Sequence, residues 1–185
     1  MKKFRNILIV ITIGATFQLF GQNNEKDTVN EESQTIFINK KQINMETENI
    51  EKDKEMLFSI VKEIAESFTG KQSTKYWADD ALWFDIPPIA VKGKEKSCEI
   101  FESAFRSLKS INVEILSMEA FINGDMGIVC SVQRWNIVPA NGTENPPLMV
   151  RQTCCFERRN GEWKLIHQHD STPKGENWDG KILTE

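Results

Sequence analysis

The two histidines of the chain fall two residues apart near its end, in Trp163-Lys-Leu-Ile-His167-Gln-His169. Imidazole titrates near neutral pH and can act as acid, base or hydrogen-bond donor, which makes His169, and after it His167, candidates for chemistry. The alternative role for the pair is structural, one hydrogen-bonded in a core and one at the rim of a sheet. Asp85 is the first candidate for a general base. A carboxylate among Trp83, Phe84 and Ile86 can be desolvated, which raises its pKa toward the value a base needs. Its competing role is to brace the turn before Pro87-Pro88. Arg151 could hold an anionic group through a bidentate contact, or pair structurally with Asp85 or Glu157. Ser171 could orient His169 or donate to a ligand. Two histidines at i and i+2 are half a metal site, and nothing in the sequence places the further ligands that zinc sites need, so no metal and no cofactor is expected. A Ser-His-Asp acyl-transfer triad is not expected either, because the Gly-x-Ser-x-Gly elbow is missing. Trp83, Trp135 and Trp163 read as core aromatics, or as the apolar walls of a pocket if one exists.

These residues need elements to position them. Arg151 to Pro173 reads as a β-hairpin turning at Asn160-Gly161, a pair suited to a type I′ turn. Residues two apart in a strand share a face, which predicts Trp163, Leu165, His167 and His169 together on one side. Upstream, Met56, Leu57, Ile60, Val61, Ile64, Ala65 and Phe68 keep helical spacing, ended by Gly70. A short second helix is predicted over Ser73 to Ala78, and a strand through Leu82 to Asp85 that stops at the prolines. A third helix carries Ile100, Phe101, Ala104, Phe105 and Leu108. The period then changes to two, with strands over Ile111 to Ile122 and Met126 to Val138 around Asn123-Gly124-Asp125. Helices followed by long strands argue for an α+β fold with an antiparallel sheet.

The ends have a different character. Lys2, Lys3 and Arg5 precede an apolar run from Ile7 to Phe20, and Gly21 is a small residue at a plausible cut, the pattern of a secretory signal peptide over residues 1–21. The run is short for a membrane span, so cleavage, export to a periplasmic or extracellular space and no stable membrane insertion are expected; an uncleaved anchor is the minor alternative. Cleavage would move the formal charge from −4 to −7, because three basic residues leave and no acid goes with them. An acidic chain without a basic, aromatic-interleaved patch is not expected to bind nucleic acid. Residues 22–54 are polar and densely charged, as expected of a disordered tether, and 174–185 form a tail containing Trp178. Cys98, Cys130, Cys154 and Cys155 are expected mostly as core thiols, with disulfides open after export.

Tyr76-Trp-Ala-Asp-Asp-Ala-Leu-Trp-Phe-Asp-Ile-Pro87, the Gly93-Lys94 helix start and the ending Gly161-Glu-Trp-Lys-Leu-Ile-His-Gln-His-Asp-Ser-Thr-Pro173 resemble the ketosteroid-isomerase and SnoaL-like domains of the nuclear transport factor 2-like superfamily. The resemblance covers residues 55–173. It implies a cone-like, curved antiparallel sheet wrapped by three N-terminal helices around an apolar pocket, and it matches Asp85 to the isomerase general base. The isomerases also use a tyrosine on the first helix, whereas the single tyrosine here is Tyr76. The expectation is a domain binding a small apolar molecule with a polar end, with Asp85 and His169 catalytic and Tyr76, Trp83, Trp135, Arg151, His167 and Ser171 at the substrate. If it is an enzyme, isomerase- or cyclase-like chemistry on a small apolar carbonyl compound is expected, with His169 and Arg151 stabilising negative charge. The alternative is a non-catalytic binding or assembly module, and a homodimer through the outer sheet face suits either.

Overall fold

A computed structural model describes residues 25–86, 89–143, 145–173 and 180. The expected signal peptide and Trp178 lie outside these residues. The chain divides into a unit ending at Ile43 and a unit running from Asn44 to the end, and everything described below from Asn44 onward belongs to the second.

Helix α1 spans Glu25–Ala65. The tether expected over residues 22–54 is therefore helical from Glu25. Its composition lacks the apolar surface needed for a core, but it also lacks Pro and Gly and is rich in Glu and Lys, which favour helix. Pairs one turn apart, Lys52 with Glu48 at 3.0 Å and Lys54 with Glu51 at 2.8 Å, add small increments. The last three turns bury Leu57, Ile60 and Val61. Gly70 does not end this helix; it opens the single-turn α2, Gly70–Ser73, whose Gln72 amide donates to the Thr69 hydroxyl at 3.1 Å. The second helix predicted over Ser73 to Ala78 is replaced from Trp77 onward by strand β1, Trp77–Phe84, because the buried Trp77 and Ala78 belong to the sheet core.

Strand β2 (Ala90–Lys92), helix α3 (Lys94–Arg106) and strands β3 (Leu108–Asn123), β4 (Met126–Pro139), β5 (Leu148–Arg159) and β6 (Glu162–Ser171) follow. They build a six-stranded curved sheet in the order β2-β1-β6-β5-β4-β3. The fold is α+β, as expected. The sheet is not wholly antiparallel: β1 runs parallel to β6, joining the first long strand to the last. At the β5–β6 turn, Asn160 and Gly161 adopt φ of 53° and 81°, the left-handed pair that a type I′ turn requires.

One irregularity decides what faces the core. Phe156 pairs with Leu165, but Cys155 pairs with His167, so Ile166 is an extra residue in β6. A bulge of this kind shifts the alternation by one and exchanges the two faces downstream. Trp163 and Leu165 point inward before it; Gln168 and Asp170 point inward after it. The expectation that Trp163, Leu165, His167 and His169 share a face is thereby corrected. All four cysteines are unbonded, and Cys154 alone is buried; Cys130 is exposed and the other two are half-buried, fewer core thiols than the sequence suggested.

Candidate active site

The inner face of the sheet, the end of α1 and helix α3 enclose a cavity of about 270 Å³. Its walls are apolar. Ile64 comes from α1, Ile100, Phe101 and Phe105 from α3, Ile111 and Val113 from β3, and Trp135 and Ile137 from β4. The helical spacing of α3 places its aromatics on one side, where Phe101 stacks on Trp83 at 4.5 Å between ring centres and on Phe105 at 5.9 Å. The polar lining comes from Asp85, Gln133, Gln152, Gln168 and Asp170, with Ser67 and Ser73.

Asp170 organises the polar end. It is 2% exposed and accepts three hydrogen bonds, from the Trp83 indole at 3.1 Å, Gln152 at 2.9 Å and Gln168 at 2.6 Å. The chain of bonds continues outward from it. Gln133 donates to Gln152 Oε1 at 2.9 Å and to Ser131 at 2.9 Å, while the Trp135 indole donates to Gln133 Oε1 at 2.7 Å. Each amide is thus oriented by the next, and the orientation is anchored by one carboxylate that can only accept. Burial pushes the Asp170 carboxyl up from its ordinary value, and the donors from Gln168, Gln152 and Trp83 pull it back.

Asp85 sits just beyond β1, half-buried in the lining, and its Oδ1 accepts from the Ile86 amide at 2.7 Å. Burial raises its pKa to about 6, with the charge of Asp170 adding to the rise and the Ile86 amide opposing it. Trp83, Asp85 and Trp135, three of the residues expected at a site, are therefore brought together.

The remaining expected residues lie elsewhere. Arg151 pairs with Ser171, Thr153 with His169 and Cys155 with His167, all on the outer sheet face. His169 is exposed, and His167 donates from Nδ1 to the Leu82 carbonyl at 2.9 Å. Phe84, also outward, meets both imidazoles edge-on at 5.2 and 6.0 Å. Arg151 forms an ion pair with neither Asp85 nor Glu157, and Glu157 binds Arg159 at 2.5 Å instead. Tyr76 donates its hydroxyl to Glu63 and receives Lys75 Nζ at 3.0 Å, apart from the cavity. The physical reason for His169 is the bulge at Ile166, which turns the imidazoles out and the Gln168 and Asp170 side chains in. The signal that could have revealed Gln152, Gln168 and Asp170 is Leu165-Ile166, two adjacent apolar residues where strict alternation allows one. Among the described residues no three His, Cys, Asp or Glu converge as metal ligands.

A six-stranded curved sheet packed on helices, with an apolar cavity between them, defines the cone-type α+β class. Within it the chain belongs to the SnoaL-like domain family, whose model matches residues 55–175. Among solved structures, it is similar to a nuclear transport factor 2-like superfamily protein from Salmonella enterica serovar Typhimurium, at 10% identity and TM-score 0.60, covering 70% of this chain and 96% of that one. A nuclear transport factor 2-like protein of unknown function from Pseudomonas putida gives 20% and 0.58, covering 70% and 92%. A Parabacteroides distasonis protein with the provisional name ketosteroid isomerase gives 16% and 0.52, covering 66% and 89%. At these identities the likeness is one of fold. A search of curated proteins found no match.

Proposed function

We propose that this domain binds a small, largely apolar molecule in the cavity and that Asp85 exchanges a proton with it, in isomerase- or cyclase-like chemistry. The observation that carries this reading is a carboxylate in the lining of an apolar cavity with its pKa raised to about 6. Such a group is ionised at neutral pH, yet basic enough to take a proton from a carbon acid. The Asp170 network gives the cavity a fixed polar lining beside Asp85, and the aromatic walls hold the ligand's apolar body. The cavity lies slightly below the roughly 300–1,000 Å³ of common ligand pockets, which favours a compact molecule. The resemblance to ketosteroid isomerases supplies the idea of a carbonyl substrate by analogy alone.

The test is mass spectrometry of the protein purified without added ligand, then deuterium exchange from solvent into whatever molecule is released. Wild-type protein is expected to catalyse the exchange, and Asp85→Asn to slow it by roughly 10²-fold or more. A wild-type rate in that variant overturns the proton-transfer role.

A second reading has its own observation. On the outer face Phe121 is 54% exposed, Met126 43%, Ile128 38% and Phe84 38%. This apolar surface supports a homodimer, with or without catalysis inside the cavity. The basic and apolar leader supports export, which N-terminal sequencing of the mature chain tests.

A further inference from the structure

The cavity lining has a charge signature. Every element around it contributes, and the titratable groups that they turn inward are Asp85 from the end of β1 and Asp170 from β6; α1 and α3 add apolar residues, β3 adds Ile111 and Val113, and β4 and β5 add amides and a tryptophan. Among the described residues, none that lines the cavity is Lys, Arg or His. Asp170 is satisfied by three neutral donors, and among the described residues the hydrogen bond to the Asp85 carboxylate comes from the amide of the next residue, on one of its two oxygens.

We propose that the molecule taken by this cavity is a small apolar amine, bound as its cation with the ammonium facing Asp85 and the apolar body against Trp83, Phe101 and Trp135. An anion would enter beside two carboxylates with no counter-charge, at a cost that low polarity magnifies. A neutral molecule leaves the ionised Asp85 desolvated and short of donors. An ammonium supplies donors and charge at once, and aromatic faces such as those of Trp83 and Trp135 favour a cation further. This inference rests on the reading of the cavity as a small-molecule site and deepens it by naming the ligand class.

The test compares three probes of similar size on the full chain, benzylamine, benzyl alcohol and benzoate, by titration calorimetry. At about pH 8, benzylamine is expected to bind about tenfold more tightly than benzyl alcohol, with benzoate weakest. The advantage should shrink at about pH 5, where Asp85 is largely protonated. It should fall to about twofold or less in Asp85→Asn and persist in Asp85→Glu. Benzyl alcohol binding as well as benzylamine, or an amine advantage that survives in Asp85→Asn, overturns the cationic assignment while leaving a small-molecule cavity in place. Failure of all three probes to bind overturns both readings. The ranking of the three probes on wild-type protein at about pH 8 decides for or against a cation even if the variants do not fold.

Discussion

Asp85 is a carboxylate that the fold makes easier to protonate, and this has a consequence for stability. Its folded pKa of about 6 lies above the ordinary value of 3.8. Below the ordinary value both states are protonated and nothing is lost; as pH rises through the window up to about 6 the unfolded chain ionises first, and stability falls. The full shift corresponds to about 3 kcal/mol, which partial solvent access screens to about 1–2 kcal/mol. Asp85→Asn is accordingly expected to be more stable than wild type by about 1 kcal/mol near pH 7.5 and equal to it near pH 4, measured by urea unfolding at both. Asp170 is the opposite case. Its replacement by Ala leaves the Trp83, Gln152 and Gln168 donors without their acceptor, and a loss of about 3 kcal/mol or more is expected in the same assay. Asp85 was legible from its neighbours because a carboxylate between a tryptophan and two prolines is conspicuous. Asp170 was not, because Asp in a run of polar residues looks solvated until its face is known.

Elements show why that face was hidden. The hairpin, its turn residues and helix α3 follow from local rules, since turn chemistry and apolar period act within a few residues. The bulge at Ile166 is a choice between two registers, settled by packing Phe156 on Leu165 and then Gln152 beside Asp170 across the sheet. The same competition replaced the predicted second helix with β1, where sheet burial of Trp77 outweighs the helical preference of its surroundings. The helical extension of α1 over Glu25 to Lys54 departs from the expected tether for another reason, because low hydrophobicity argues against a core and not against a helix. A close approach between elements gives a sharp prediction. A Cβ on Gly70 would lie 2.2 Å from the Cys98 carbonyl oxygen of α3, which is backbone and cannot rotate away. Gly70→Ala is therefore expected to separate α2 from α3 and cost about 2–3 kcal/mol, with a lowered thermal midpoint in calorimetry.

For the molecule as a whole, the two faces of one sheet have different occupants. The inner face closes the cavity, and the outer face presents Phe121, Met126 and Ile128 to a second copy in the proposed homodimer. Phe121→Asp with Ile128→Asp is expected to convert dimer to monomer in light scattering without altering probe binding; a monomeric wild-type protein would remove the dimer. The parallel pairing of β1 with β6 has a further effect, on the order of assembly. The Trp83 indole reaches Asp170 across 87 residues of sequence. Loop-closure entropy weighs against such a contact until most of the chain has collapsed, so it belongs to the late, slow part of folding. During synthesis, β1 emerges long before the strand that covers its edge, and Trp77 and Trp83 wait without their final neighbours. The closed cavity is then a feature the chain acquires last, when β6 docks, and a chain cut short between Arg159 and Ser171 would keep the β3–β4 and β4–β5 hairpins without the strand that closes the cavity.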